Sequence, residues 1–155
     1  KRISNILYMK TLLRMFPGCV IIWVQRDPIE TILSIREQRI RKFGSAHSRW
    51  GVFLEPCAAQ DRDPILDCAK QFLHLWRELE FYRSSFQRMI TVAYRDFCKN
   101  PVLLLPALEP FVGELSEPES WAEPIEARSR LATHTELSKI YGVLGTSLIN
   151  QSSSR

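Results

Sequence analysis

The chain has 155 residues, of which 45% are hydrophobic and 25% charged, and its formal net charge is +4. This composition is that of one globular domain, and no apolar run approaches the roughly 20 residues of a membrane-spanning helix. The positive charge is spread along the chain and does not form the dense basic stripe of a nucleic-acid-binding surface. The four cysteines lack metal-ligand spacing, so we expect free thiols and no metal site.

The amino-terminal segment predicts a helix that leads into the first strand. Ser4 is a reasonable N-cap, and apolar residues recur at helical spacing as far as Phe16. The pair Pro17 and Gly18 then ends the periodic run. Because the chain begins with lysine rather than methionine, we expect it to be a piece of a longer protein.

The most informative stretch is a short apolar run that stops abruptly at charged residues. Val20–Val24 is typical of a strand buried on both faces, as in a parallel sheet. Arg26 follows the strand, and Ser34 lies on the helix that comes next. Ligands bind at the carboxyl ends of such strands, and helix starts attract anions, so these two residues are a candidate phosphate clamp. The alternative is an ordinary surface ion pair between Arg26 and Asp27 or Glu30.

The segment 16–28, taken with Ser34, resembles the part of sulfotransferases that binds the 3′-phosphate of 3′-phosphoadenosine-5′-phosphosulfate (PAPS). The resemblance implies that Arg26 and Ser34 anchor this sulfate donor. It also implies a three-layer α/β/α domain with a short parallel sheet, the P-loop NTPase-like sulfotransferase fold. The family's earlier phosphosulfate-binding loop does not occur in this sequence. We therefore expect an amino-terminally incomplete domain over residues 1–150, followed by a disordered tail over 151–155.

Two amphipathic helices are predicted in the middle of the chain. The first runs from about residue 28 to 42, with Arg36, Arg39 and Arg41 on the faces other than its apolar one. The second runs from about residue 65 to 86 and carries a broad apolar stripe typical of a core helix.

The loop between these helices supplies one candidate catalytic residue, and the chain start supplies another. His47 is a candidate general base because imidazole titrates near neutrality; the alternative is a merely solvated side chain. Trp50 lies in a Trp-Gly segment that resembles one near the acceptor pocket of some bacterial sulfotransferases. Lys1 lies in a segment that resembles one close to the sulfuryl group in the family; its alternative is a frayed basic terminus.

A second strand is predicted over residues 89–94 and ends in another family-like motif. Tyr94-Arg95-Asp96-Phe97, followed by an Asn-Pro pair, resembles the family's Tyr-Glu-Asp-Leu sequence. The resemblance implies that Tyr94 lies by the adenine, whereas the alternative is an aromatic residue at the core edge. Arg95 replaces the common glutamate, which alters a local ion pair. Asp96 is predicted as the N-cap of the following turn.

The last third of the chain predicts two further helices. One, over about residues 103–111, contains two prolines and should be short or kinked. The other covers about residues 136–144, with Thr135 as its predicted cap. Sulfotransferases place basic residues of a late loop against the 3′-phosphate, so the resemblance makes Arg128 and Arg130 candidates for donor binding.

The leading hypothesis is a PAPS-dependent sulfotransferase that transfers a sulfuryl group to an acceptor hydroxyl or amine of a small molecule or glycan. One alternative is a nucleotide kinase-like phosphotransferase, although its Gly-rich phosphate loop is absent from the sequence. Another is an inactive fragment or interaction domain. No nucleic-acid partner is expected. We expect a cytoplasmic location, or the Golgi lumen if the chain is part of a longer anchored protein.

Overall fold

A computed structural model describes residues 6, 8–51, 62–83, 85–86, 88–115 and 130–150, with side chains described as far as residue 145. The tail predicted over 151–155 lies outside these residues. The described elements are α1 (Met9–Met15), β1 (Ile21–Gln25), α2 (Pro28–Phe43), α3 (Pro64–Arg83), β2 (Met89–Ala93), α4 (Tyr94–Lys99), a 3₁₀ helix (Pro101–Leu104), α5 (Leu105–Val112) and α6 (His134–Asn150).

The two strands form a parallel sheet whose register runs from Ile21 opposite Met89 to Gln25 opposite Ala93. Parallel strands need a long crossover, which α2 and α3 provide here. The predicted parallel sheet and α/β class are therefore confirmed, with two strands in the described part of the chain. Because the strands run in the same direction, the residues that follow them emerge at the same edge of the sheet.

The core lies where α2, α3 and α6 meet. Ile32 and Ile140 are fully buried, and Leu33 is 1% exposed. The sheet joins this core through Trp23, whose ring meets that of Trp76 edge to face at a centroid distance of 5.2 Å. The buried cluster consists of Ile32, Leu33, Ile65, Cys68, Ala69, Phe72, Ile140 and Leu144.

Strong local signals fix both ends of α2. The Asp27 side chain accepts a hydrogen bond from the Glu30 backbone N–H at 2.9 Å, and Pro28 occupies the first helical position. At the other end, Gly44 has a φ of 72°, the left-handed conformation that glycine adopts without steric cost. These caps place the start of α2 directly after the strand-end Arg26.

Two boundaries differ from the sequence prediction at β2. The strand ends at Ala93, one residue earlier than expected, because Tyr94 is already the first residue of α4. Asp96 therefore lies inside the helix, and its prediction as an N-cap is wrong. The cap of the next turn is Asn100, whose side chain accepts a hydrogen bond from the Val102 N–H at 3.1 Å.

The cap of α6 also differs from the prediction. The helix begins at His134, and Thr133 is the capping residue instead of Thr135. The Thr133 hydroxyl accepts from the Glu136 N–H at 3.3 Å, while the Glu136 carboxylate accepts from the Thr133 N–H at 2.9 Å. This reciprocal pair is a capping box.

Arg39, which the periodicity puts outside the apolar face of α2, nevertheless has a fully buried side chain. Its guanidinium lies 2.9 Å from a carboxylate oxygen of Asp67 and donates to Gln71 at 2.9 Å. Arg49 reaches the other Asp67 oxygen, also at 2.9 Å. Gln71 in turn donates to the Trp50 carbonyl at 3.0 Å. The network therefore fastens residues 46–50 to α2 and α3.

The described cysteines, Cys19, Cys68 and Cys98, are free thiols, and Cys57 lies outside the described residues. Burial raises the pKa of Cys68 to about 11. A thiol with so high a pKa stays protonated at neutral pH and is a poor nucleophile. Cys68 therefore belongs to the core.

Candidate functional site at the ends of the two strands

Arg26 and Tyr94 follow the two parallel strands and meet at the edge of the sheet. The guanidinium carbon of Arg26 lies 4.7 Å from the centroid of the Tyr94 ring, a cation–π distance. The Arg26 side chain is only 18% exposed. The hydrogen bond between Tyr94 and Cys98, together with burial, raises the pKa of the Tyr94 hydroxyl. Tyr94 is therefore a neutral ring that carries a hydrogen-bonding hydroxyl.

Glu30, in the first turn of α2, connects Arg26 to Arg95. One carboxylate oxygen accepts from Arg26 Nε at 3.4 Å, and the other accepts from Arg95 Nη2 at 2.6 Å. Burial acts to raise the pKa of Glu30, but the two arginines outweigh it and hold the pKa below its ordinary value. The ion pair between Arg26 and Glu30 that we considered as an alternative is thus present. It is largely buried beside Tyr94 and is not an isolated surface pair.

Ser34 lies on the same face of α2 as Glu30 and Glu37, because residues spaced by three and four are neighbours on a helix surface. Glu37 accepts from Arg130 Nε at 2.5 Å. Arg130 also acts electrostatically on Tyr94, together with Arg26. Ser34 is half-buried, and on this helix face it lies between Glu30, which binds Arg26, and Glu37, which binds Arg130.

We call Arg26, Arg95 and Arg130 the arginine cluster. Carboxylates of Asp27, Glu30 and Glu37 face these three guanidinium groups, so the side chains of the site are together close to neutral. Its N–H donors are nevertheless fixed in direction, and a planar guanidinium suits phosphate oxygens. The start of α2 adds a partial positive charge at the same place. This arrangement favours a small anion that can replace carboxylate contacts.

The other candidate residues are not joined to this cluster by the structure. His47 is exposed, and its backbone N–H donates to Ser45 Oγ at 3.2 Å. It follows the end of α2 opposite to Arg26, and the 16 residues of that helix span about 24 Å. Lys1 and Arg128 lie outside the described residues. Within the described part of the chain, no three His, Cys, Asp or Glu side chains are grouped to hold a metal ion.

The carboxylates that organise the arginine cluster are not predicted from the sequence. The sequence indicates Glu30 only as a partner in a surface pair and assigns no role to Glu37. The available signal was the spacing of Glu30, Ser34 and Glu37 by four and three residues, which puts a hydroxyl between two carboxylates. The role of Arg95 was indicated by its positive charge, because it replaces the glutamate of the family's Tyr-Glu-Asp-Leu sequence.

Fold and site together define an α/β protein with a pre-ordered arginine cluster at the carboxyl ends of its parallel strands. A family model described as "Sulfotransferase family" matches residues 1–117. The chain therefore belongs to the sulfotransferase family, and this membership identifies it as a transferase. Comparisons with curated proteins and with solved structures gave no match. No helix in the described residues is long and apolar enough to cross a membrane.

Proposed function

We propose that the protein is a sulfotransferase that uses PAPS as its donor and binds the donor's 3′-phosphate between Arg26 and Ser34. One observation carries the proposal. The strand-end guanidinium is packed at 4.7 Å on the Tyr94 ring, next to the start of the helix that carries Ser34. Charge-assisted hydrogen bonds from guanidinium to phosphate are among the strongest in proteins.

The remaining groups of the site fit the other parts of such a nucleotide. We propose that Arg130, which pairs with Glu37 on the same helix face as Ser34, approaches the phosphate from the side opposite to Arg26. The neutral Tyr94 ring offers a flat surface and a hydroxyl to the adenine. Arg128 is proposed as a further basic contact from the same late segment. In this proposal Glu30 and Glu37 hold the arginines in direction until the phosphate arrives.

The proposed reaction moves one sulfuryl group. An acceptor oxygen or nitrogen forms a new bond to sulfur, while the bond between sulfur and the bridging phosphate oxygen breaks. The electron pair of that bond leaves on 3′-phosphoadenosine-5′-phosphate (PAP), and a base takes the acceptor proton. The role of Arg26 and Ser34 is to hold the donor so that attack is in line, a positional effect that can lower a barrier substantially. Lys1 and His47 remain the candidate catalytic residues.

The proposal includes the complete sulfotransferase architecture. The crossover from β1 through α2 and α3 to β2 would then be one unit of a three-layer, P-loop NTPase-like α/β/α domain spanning residues 1–150. The two-stranded parallel sheet and its position relative to Arg26 support this proposal.

A thermal-shift comparison of PAP with ATP tests the donor class. PAP at about 100 times its dissociation constant should stabilise the fold by about 2.7 kcal/mol and raise Tm by about 5 to 10 °C. ATP at the same concentration should have a much smaller effect. A larger shift with ATP would favour the nucleotide kinase-like alternative. No transfer of ³⁵S from labelled PAPS to any hydroxyl or amine acceptor, despite PAP binding, would favour an inactive interaction domain.

A further inference from the structure

Arg95 and Glu30 form a contact that joins the two halves of the site. Arg95 lies in the first turn of α4, 65 residues from Glu30 in the chain, and its Nη2 donates to the Glu30 carboxylate at 2.6 Å. Glu30 is 11% exposed and accepts a second bond, at 3.4 Å, from Arg26 Nε. Its carboxylate therefore sets the direction of the Arg26 guanidinium.

This carboxylate creates an electrostatic problem for an anion site. Glu30 lies one helical turn before Ser34, so its negative charge faces any phosphate held there. Asp27, whose charge also acts on Arg95, adds a second negative charge at the start of α2. With Arg26 as the one cation, Glu30 and Asp27 would leave a net negative charge. Arg95 supplies the second positive charge that brings these four side chains to neutrality. Without Arg95, Glu30 would repel the phosphate and compete with it for Arg26.

We propose that Arg95 is a positioning residue of the 3′-phosphate site, acting through Glu30. By binding the Glu30 carboxylate, Arg95 offsets the negative charge of Glu30. The Arg26 guanidinium can then stay aligned and donate to a phosphate in place of Glu30. Arg95 thereby sets the preference for nucleotides that carry a 3′-phosphate over those that do not. This inference rests on the proposed function.

Calorimetric titration with PAP and with adenosine 5′-monophosphate (AMP) tests the inference. Wild-type protein should bind PAP more tightly than AMP. Arg95→Ala should weaken PAP binding about tenfold, the scale of one hydrogen bond to a charged group, while AMP binding changes less than about twofold. Arg95→Lys keeps the charge and should recover most of the PAP affinity. Arg41→Ala removes a positive charge near the other end of α2, where Arg41 is exposed, and should leave both affinities unchanged.

A double-mutant cycle with Glu30→Gln separates an indirect role of Arg95 from direct contact. The glutamine oxygen can still accept from Arg26 but carries no charge to offset. In this background Arg95→Ala should change PAP affinity less than about threefold. The same tenfold loss in both backgrounds would show that Arg95 touches the phosphate itself and would overturn the indirect role. Full PAP preference in Arg95→Ala would also overturn it. A wild type without PAP preference would instead contradict the proposed function.

Discussion

Arg26→Ala is expected to weaken binding of PAP by about 30- to 100-fold, because it removes charge-assisted hydrogen bonds worth about 2 to 3 kcal/mol in total. Arg26→Lys keeps the charge but loses the planar fork, so its affinity should fall between those of wild type and Arg26→Ala. Isothermal titration calorimetry measures both variants directly. The fold should persist, because Glu30 keeps its contact with Arg95 when Arg26 is removed.

The matched control for this experiment is again Arg41→Ala. It removes the same charge from an exposed position near the far end of α2, where the Arg41 guanidinium donates to the side chain of its neighbour Gln38. Its PAP affinity should equal that of wild type. An Arg26→Ala protein that remains folded and binds PAP as tightly as wild type would remove Arg26 from the donor site.

Asp67→Ala is expected to destabilise the protein by about 3 to 5 kcal/mol, the usual cost of removing one partner from a buried ion pair. Arg39, which is fully buried, and Arg49 would both lose the carboxylate that lies 2.9 Å from each of them. Equilibrium unfolding in urea measures the loss. Thermal unfolding should show a decrease in Tm of about 10 °C for a chain of this size.

Glu80→Ala is the surface comparison for this prediction. Glu80 pairs with Arg83 at 3.4 Å on the same helix as Asp67, but both side chains are about one-third exposed. Such a pair contributes less than about 1 kcal/mol, so the variant should unfold close to wild type. If Asp67→Ala were equally mild, the buried network would not hold the 46–50 loop to the helices as we describe.

Local signals made much of this fold predictable. The apolar run Val20–Val24, and the proline at the first position of α2, predicted β1 and α2 to within about one residue. The cap of α6 was predicted less accurately, because two threonines two residues apart could both serve as the cap. Thr133 is favoured over Thr135 because Glu136 lies three residues after Thr133, which completes a reciprocal pair.

Charge burial could not be read from helical periodicity alone. Arg36, Arg39 and Arg41 all lie outside the apolar face of α2, yet Arg39 is fully buried and meets a carboxylate from α3, 28 residues away at Asp67. Which arginine is buried depends on how the two helices pack. The pairing of Glu30 with Arg95 has the same origin, since it exists only because the parallel strands bring α2 and α4 to one edge.

The same parallel pairing made the proximity of Arg26 and Tyr94 predictable in principle. Each is the residue directly after a strand of the sheet, and parallel strands place their carboxyl ends together. The family resemblance pointed to both residues separately. Their contact at 4.7 Å is a result of the structure.

A crystal structure of the protein with PAP bound tests the central claim most directly. We expect the 3′-phosphate oxygens within about 3 Å of the Arg26 guanidinium and the Ser34 hydroxyl, the distance of charge-assisted hydrogen bonds, with the adenine against Tyr94. A nucleotide whose 3′-phosphate contacts neither Arg26 nor Ser34 would contradict the proposed site.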